Sequence, residues 1–383
     1  MSKFKINFRI VIPIVLMAII SIISIYSALT YTSKSLGNLA LKQAIWYMVG
    51  VGLVFVLVKL GNEYLYRHTW ILYVIGNLLL VVLLLFGTPI NNSKCWLIIP
   101  GIGSVQPSEF MKIFIMLVLA SMIHDFRNKY KNPSLWEEFL FIVKSFGVVL
   151  IPSILTFLEP DTGAVIIYFI IYIAMMFVSG IRIRWFVIAI ILCGVGMGSF
   201  LGLYFFKEDI FIKVFGSSIY YRLERLFDWQ TGSGLQLENA LAAIGSSSLV
   251  GYGFNKTPIY FPESSTDFIF GVFASNFGFV GICLLLGIIL YFDLSIIRLA
   301  RRRINDTDKY ILIGIVAMLL FQQVQNMGWR LVLFLLRVLL YPLYRMVVLV
   351  YFRIWWLLVL FWIFLERGKR GIRWRKGFVF WKV

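Results

Sequence analysis

The chain has 383 residues, of which 61% are hydrophobic and only 14% are charged. A soluble globular protein has an apolar share nearer to half, so this composition excludes an ordinary soluble domain. The formal net charge is +18 at pH 7, from 36 Lys and Arg residues against 18 Asp and Glu residues. The basic residues are divided between loops beside apolar runs and a C-terminal segment, so they do not indicate nucleic-acid binding.

Apolar runs recur along the chain at about the length that a helix needs to cross a bilayer, about 20 residues. We predict spans at residues 9–29, 43–61, 69–88, 108–124, 140–158, 163–180, 183–205, 267–293 and 309–328. A further hydrophobic stretch covers residues 329–365. The predicted fold is therefore all-α, a polytopic membrane protein with about ten transmembrane helices.

Basic residues predict the orientation, because cytoplasmic loops of membrane proteins carry an excess of Lys and Arg. They lie before the first span and in every second connection after it, for example at Arg67, Arg127, Arg182 and Arg301. The N-terminus is therefore expected in the cytoplasm. The outward loops are then those near residues 30–42, 89–107, 159–162 and 206–266, the last being a large extracytoplasmic loop between helices 7 and 8.

The first polar cluster at an outward end contains Trp96, Glu109 and Lys112. Pro107 suits the first turn of a helix, and Glu109 there would meet the positive end of the helix dipole. Lys112 lies one turn inside an apolar run and needs a carboxylate partner, for which Glu109 at i−3 is placed. Trp96 fits either a functional residue or an aromatic anchor at the membrane interface.

The second cluster is the stretch Glu159-Pro160-Asp161-Thr162. Pro160 ends one helix, and Asp161 or Thr162 can cap the next. Capping accounts for one carboxylate only. A second carboxylate beside the proline at the membrane boundary favours a function for Glu159 and Asp161.

The long outward loop holds two more polar groups. Arg222 could bind phosphate through its guanidinium group, although the surrounding stretch also fits an amphipathic helix followed by a turn. The segment 261–268, F-P-E-S-S-T-D-F, gathers Glu263, Asp267 and three hydroxyls at the edge of a span. Thr266 or Asp267 would be enough to cap that span, which leaves Glu263 unexplained. Asp267 is therefore a candidate for catalysis or binding.

These motifs, in this order, resemble the SEDS family of shape, elongation, division and sporulation proteins. The matching stretches run from residue 1 to about 328 and include K-C-W-L-I-I-P-G, Q-P-S-E-F-M-K, E-P-D-T-G-A, R-L-E-R-L, G-Y-G-F, F-P-E-S-S-T-D-F-I-F and Q-Q-V-Q-N-M-G. One such motif is weak evidence, whereas the ordered set is highly specific. The Q-P-S-E-F-M-K stretch and the chain length look closer to the RodA branch than to the FtsW branch.

The resemblance implies a multi-pass enzyme of the bacterial plasma membrane. This enzyme polymerises lipid II, an undecaprenyl-diphosphate-linked disaccharide-peptide, into peptidoglycan glycan strands beside a class B penicillin-binding protein. It places the family's essential aspartate on Asp267, as the base for the attacking sugar hydroxyl, and its motif tryptophan on Trp96. Arg222 and Lys112 would oppose the diphosphate charge or hold the carboxylates. The remaining candidates for substrate binding or structural support are Glu109, Glu159, Asp161 and Glu263.

The chain departs from the family pattern at three places. Ser265 stands two residues before the aspartate, where histidine is frequent. Ser275 and Asn276 stand where a pair of Glu residues often follows, and Cys95 precedes the tryptophan where arginine is usual. These departures indicate a divergent member of the family.

Two alternatives to an enzyme stay open from the residues alone. One is a transporter or flippase for a lipid-linked precursor, and the other is a scaffold for a penicillin-binding protein with no activity of its own. A transporter should carry ionisable groups at mid-span, whereas the candidate carboxylates of this chain all fall at outward ends, which favours the enzyme. No metal-ligand spacing occurs, and the sequence leaves the use of a divalent cation open.

The sequence changes character after Gly328. Residues 329–383 contain no Ala, Ser, Thr, Asn, Gln, Asp, Cys or His, and arginines interrupt what should be a lipid span. We therefore divide the chain into a SEDS transmembrane domain with nine helices at residues 1–328 and an aberrant basic, hydrophobic tail at residues 329–383 in place of the last helix.

A single-base loss near the Gly328 codon would produce this tail. The third base of the Met346 codon and the first two of the Val347 codon always spell glycine, and one allowed shifted translation restores the family stretch G-L-F-P-I-T-G-I-T-L-P-F-I-S-Y-G-G-S-S. Resequencing the gene across the Gly328 codon is expected to reveal the lost base. An intact reading frame that yields the present tail would contradict the prediction.

Overall fold

A computed structural model describes residues 7–28, 39–60, 62–87, 95–99, 103–217, 220, 234–258, 264, 268–302 and 305–328. Three of the candidate site residues, Arg222, Glu263 and Asp267, lie outside the described residues, as does the whole tail 329–383.

Helices make up nearly all of the described chain. They are α1 (Phe8–Ala28), α2 (Leu39–Leu60), α3 (Asn62–Arg67), α4 (Thr69–Phe86), α5 (Pro107–Lys129), α6 (Leu135–Leu158), α7 (Thr162–Val178), α8 (Ile183–Phe206), α9 (Glu208–Phe215), α10 (Gly234–Ser246), α11 (Ile269–Arg302) and α12 (Asp306–Gly328). Two short antiparallel strands, β1 (Leu97–Ile99) and β2 (Gly103–Val105), form a hairpin before α5. A described helix coincides with most of each of the nine predicted spans, which confirms an all-α polytopic protein.

Seven of the described helices are long and apolar enough to cross a membrane, namely α1, α2, α4, α6, α8, α11 and α12. Helix α7 is apolar but shorter, with 17 residues. Helix α5 is less apolar because Glu109 and Lys112 lie near its start and Arg127 and Lys129 near its end. The first two of these charged residues are buried inside the bundle.

Helix α5 lies at the centre of the bundle, where it packs against α4, α6, α7 and α12. Met111, Ile115, Leu119 and Ile123, spaced one turn apart, are all fully buried. Such spacing at i and i+4 places side chains on one face of a helix. A small residue lets α4 approach closely, because a Cβ added at Gly76 would lie 2.7 Å from the Met111 sulfur. Helix α5 is therefore the central helix of the bundle, against which its neighbours pack.

The remaining long helices surround this centre. Helix α1 packs against α11, α10 covers the first part of α11, and α11 in turn contacts α12. Helix α8 has no buried residue within the described structure, so it lies at the periphery. The predicted long loop at 206–266 is thus partly helical, since α9 and α10 lie within it.

Two predicted features of the span at 267–293 differ from the structure. Helix α11 continues to Arg302 instead of ending at 293, because Asp293 is buried and accepts a hydrogen bond from Gln323 Nε2 of α12 at 3.2 Å. A charged residue that the sequence places at the membrane boundary is therefore an interhelical contact. The helix is also interrupted at Gly278, whose φ of 61° and ψ of −163° are not helical.

Candidate active site

Three helix ends meet on the predicted outer side of the bundle: the starts of α5 and α7 and the end of α6. Pro107 is the first residue of α5, where its missing N–H leaves no hydrogen bond unmade. Asp161 is the N-cap of α7, and its Oδ1 accepts a hydrogen bond from the Ala164 N–H at 3.2 Å. The capping predicted for Asp161 is confirmed, and it sets where the connection from α6 turns into α7.

The second oxygen of Asp161 joins this turn to α5. Its Oδ2 accepts hydrogen bonds from Gln106 Nε2 at 2.5 Å and from Ser108 Oγ at 2.8 Å. The Asp161 side chain is only 4% exposed, so these contacts replace the water that its carboxylate would otherwise bind. One buried carboxylate therefore receives three donors and links the starts of two helices.

A buried ion pair lies next along α5. Lys112 Nζ is 2.7 Å from Glu109 Oε1, and the two side chains are 0% and 2% exposed. The partner predicted for Lys112 from the i,i+3 spacing is confirmed. Removing one member of such a pair leaves a buried charge without compensation and costs about 3–5 kcal/mol. The geometry therefore identifies Glu109 as the ion-pair partner of Lys112.

Glu159, the residue after the end of α6, is in a different electrostatic state. Its side chain is fully buried, and neither carboxylate oxygen has a hydrogen-bond partner among the described residues. Burial, and secondarily the charge of Asp161, raises the pKa of Glu159 from 4.5 to about 9. Glu159 is consequently a neutral carboxylic acid near pH 7, able to donate a proton in a hydrogen bond.

Cys95 connects the β-hairpin side of the site to Glu159. Its thiol donates a hydrogen bond to the Glu159 backbone carbonyl at 2.9 Å. The neighbouring Trp96 is 7% exposed, so it lies inside the protein and is not an exposed anchor of the aromatic belt. The structure thus brings Trp96 to the same end of the bundle as the carboxylates.

Sequence reasoning did not single out Tyr168, which lies beneath the site. Its hydroxyl donates to the Ser108 backbone carbonyl at 2.8 Å and lies 3.4 Å from Thr156 Oγ1. Tyr168 is fully buried and connects α7 to α5 and α6. A signal was present, because Tyr168 lies one turn after Ala164, the residue that the Asp161 cap contacts, and therefore on the same helix face. Gln106 and Ser108 were within a predicted cluster, but their contacts with Asp161 were not foreseen.

The site residues predicted from the sequence fall into two groups. Four of them, Glu109, Lys112, Glu159 and Asp161, are buried at one end of the bundle, with Trp96 beside them. Arg222, Glu263 and Asp267 lie outside the described residues, and their roles stay predictions. The next described residue after Asp267 is Phe268, which packs against Ala28, Ala240, Ala243 and Val272 of α1, α10 and α11.

The three buried carboxyl groups of the site are in different chemical environments. Glu109 is paired with Lys112, Asp161 receives three donors, and Glu159 is neutral. A general base must be able to take a proton from an incoming group within hydrogen-bond reach. None of these three buried carboxyl groups combines a free ionised oxygen with access from outside, so this cluster is suited to hold helix ends in place. Within the described ranges, no group of three His, Cys, Asp or Glu side chains forms a metal site.

Comparisons with known proteins agree with these motifs. The family model of FtsW, RodA and SpoVE, described as "Cell cycle protein", matches residues 8–343. Stage V sporulation protein E of Bacillus subtilis is 31% identical over 297 residues, which cover 73% of this chain and 74% of that protein. A relative from Hydrogenovibrio crunogenus, named "Probable peptidoglycan glycosyltransferase FtsW", is 28% identical over 302 residues, or 75% of this chain and 72% of that protein.

Solved structures share the fold. A chain from "Structural coordination of polymerization and crosslinking by a peptidoglycan synthase complex" matches with a TM-score of 0.73 at 20% identity, covering 95% of this chain and 98% of that chain. The rod shape determining protein RodA of Thermus thermophilus matches with a TM-score of 0.64 at 21% identity, covering 95% and 98%. These likenesses extend to RodA, FtsW and SpoVE alike, so the expected closeness to the RodA branch stays a prediction.

The raised pKa of Glu159 predicts a pH-dependent stability. The folded protein keeps a proton that the unfolded chain releases above pH 4.5, so this contribution is complete below pH 4.5 and is lost as the pH rises to about 9. The substitution Glu159→Gln, which mimics the neutral acid, is expected to flatten this loss. Thermal unfolding in detergent between pH 5 and pH 9 measures it.

The matched control is Glu208→Gln, which changes an exposed glutamate at the start of α9. This variant should follow the wild-type dependence on pH. Parallel curves for the wild type and Glu159→Gln across the whole range would show that Glu159 is already ionised in the folded protein.

Proposed function

This chain belongs to the SEDS family, and from that premise we propose that it is a peptidoglycan glycosyltransferase that polymerises lipid II into glycan strands. The family match covers residues 8–343, and the described helices form a multi-pass protein of the bacterial plasma membrane. Curated relatives are named peptidoglycan glycosyltransferases, which supports the same reaction for this chain.

The observation that carries the proposal is the convergence of separate motifs. The Q-P-S-E-F-M-K stretch supplies Gln106, Ser108, Glu109 and Lys112, and the E-P-D-T-G-A stretch supplies Asp161. These stretches are more than 45 residues apart in the chain, yet Asp161 accepts hydrogen bonds from both Gln106 and Ser108. Buried polar side chains gathered from distant motifs at one end of an apolar bundle support a functional site there.

In the proposed reaction, Asp267 accepts the proton of a sugar hydroxyl as that oxygen attacks the anomeric carbon of a second lipid-linked sugar. A new glycosidic C–O bond forms, and the C–O bond to the lipid diphosphate breaks. The lipid diphosphate then leaves with the bonding electron pair. Arg222 is proposed to oppose the negative charge that accumulates on the leaving diphosphate.

Lys112 had two candidate roles, to oppose diphosphate charge or to hold a carboxylate. The 2.7 Å contact with Glu109 and the complete burial of Lys112 support the second role. A lysine whose charge is already compensated inside the bundle contributes little to binding a diphosphate at the surface. We therefore propose that Glu109, Lys112, Glu159 and Asp161 support the site, and that Trp96 covers it from the hairpin side.

A partner is part of the proposal. One structural match belongs to a peptidoglycan synthase complex that coordinates polymerisation with crosslinking. This supports a class B penicillin-binding protein as the partner that cross-links the new strands. Helix α8 has no buried residue within the described structure, so its surface is available to contact such a partner.

Polymerisation of purified lipid II tests the proposal, using the full chain of 383 residues and a version with the reading frame restored after Gly328. If the tail replaces the true last helix, only the restored form is expected to be active. In the active form, Asp267→Ala should lower the rate by about 100-fold or more, as expected for loss of a general base.

Asp209→Ala is the matched control, because Asp209 is an exposed acid in the same outer loop. Its rate should stay within about twofold of the unsubstituted protein, as expected for an exposed side chain away from the chemistry. Equal activity of Asp267→Ala and its parent would remove Asp267 from the mechanism. Movement of lipid II across vesicles without any polymerisation would instead identify a transporter.

A further inference from the structure

The interruption of α11 at Gly278 is filled by another part of the chain. In a continuous helix the Phe279 and Val280 N–H groups would bond to the Ser275 and Asn276 carbonyls. Instead, the Phe279 N–H donates to the Ser248 carbonyl at 3.1 Å, and the Val280 N–H donates to the Leu249 carbonyl at 3.0 Å. The downstream half of the helix therefore takes its first acceptors from the turn after α10.

The upstream half is completed from the same turn. The Ser275 carbonyl accepts from the Tyr252 N–H, and the Asn276 carbonyl accepts from the Gly253 N–H, each at 3.0 Å. Residues 248–253 thus lie within the break and satisfy the backbone groups on both of its sides. Backbone polar groups left unpaired at this depth would be costly.

Two glycines make this insertion sterically feasible. A Cβ added at Gly251 would lie 2.3 Å from the Asn276 carbonyl oxygen, and one added at Gly278 would lie 2.4 Å from the Gly251 nitrogen. Both residues also have positive φ, 77° and 61°. Any side chain at either position must separate the two backbones or move the helix halves.

Side-chain hydrogen bonds also connect the segments that meet at the interruption of α11. Asn276 is 1% exposed, its Nδ2 donates to Ser27 Oγ at the end of α1 at 2.5 Å, and its Oδ1 accepts from Thr257 Oγ1 at 3.2 Å. We call residues 248–253, Thr257 and residues 275–280 the clasp. Thr257 precedes the polar segment 261–268 and Asn276 follows it, so this contact joins the two flanks of that segment.

We propose that the clasp is a positioning device for Asp267, which lies on the segment whose two flanks the clasp ties together. The inference rests on the proposed function of Asp267. The first part of α11, residues 269–277, follows Asp267 at once and is held by the clasp on one side and by α1 and α10 on the other. An error of about 1 Å in the position of a catalytic group costs about 100-fold in rate, so fixing both flanks serves catalysis directly.

A pair of substitutions at Thr257 separates positioning from packing. Thr257→Val keeps the side-chain volume and loses the donor to Asn276, whereas Thr257→Ser keeps the donor and loses a methyl group. In the lipid II assay of the active form, Thr257→Val is expected to lower kcat by about tenfold with KM changed by less than about twofold, since positioning acts on the transition state. Thr257→Ser should restore most of kcat. A Thr257→Val enzyme as active as Thr257→Ser would overturn the proposal.

A distance measurement tests the clasp without relying on activity. Spin labels at Ser264→Cys and Phe86→Cys, in the full chain with Cys95, Cys193 and Cys283 replaced by Ser, report the position of the polar segment relative to α4. Phe86 is 78% exposed at the end of that helix. The parent should give one narrow distance distribution, and Gly278→Ala should broaden or shift it.

The control for Gly278→Ala is Gly287→Ala, which lies in the same helix with no atom within 4 Å of an added Cβ. It should leave the distribution unchanged. An unchanged distribution in a folded Gly278→Ala protein overturns the clasp, and if Gly278→Ala does not fold, Thr257→Val carries the same distance test. A third outcome is that no variant or parent protein polymerises lipid II while the distance distributions change as expected. That outcome would refute the proposed function, but it would support the clasp as a contact that holds the polar segment in place.

Discussion

The contact between Asp161 and the first turn of α5 is the interaction on which the rest of the outer end depends. One buried carboxylate caps α7 and accepts hydrogen bonds from two side chains at the start of α5. Hydrogen bonds to a charged group contribute about 1.5–3 kcal/mol each, and a buried carboxylate without them would be strongly unfavourable. The ends of three helices are therefore held in a fixed relation.

The position of α5 set by the Asp161 contacts also accounts for the pairing of Lys112 with Glu109 and for the protonation of Glu159. With α5 fixed by Asp161, Lys112 and Glu109 lie inside the bundle, where neither can reach water and each requires the other. Glu159 lies two residues before Asp161 in a fully buried position, and burial, with a smaller effect of the neighbouring Asp161 charge, raises its pKa to about 9. A cluster of compensated or neutral groups is well suited to structural support, which agrees with the proposal that Asp267 carries out the chemistry. The clasp supplies the corresponding constraint on the side of α11.

The architecture could be predicted from sequence because the bilayer imposes a length of about 20 apolar residues on each helix. The Glu109–Lys112 pair was also predictable, since residues three apart on a helix are neighbours. The contacts of Asp161 with Gln106 and Ser108 were not, because they join stretches more than 45 residues apart through tertiary packing. The end of α11 was placed too early because Asp293 gives no sign in the sequence that Gln323 will meet it. Likewise, nothing in the sequence distinguishes Gly251 and Gly278 from other glycines, because the close contact between their backbones arises only in the folded structure.

The most direct measurement of the central claim is a double-mutant cycle between Ser108→Ala and Asp161→Ala, read as the free energy of unfolding in detergent. If Asp161 holds the start of α5, the two substitutions remove the same interaction. Their coupling energy should then be about 1.5–3 kcal/mol, in the range of a hydrogen bond to a charged group. Additive effects, within about 0.5 kcal/mol, would show that the contact between Asp161 and α5 does not hold this end of the bundle.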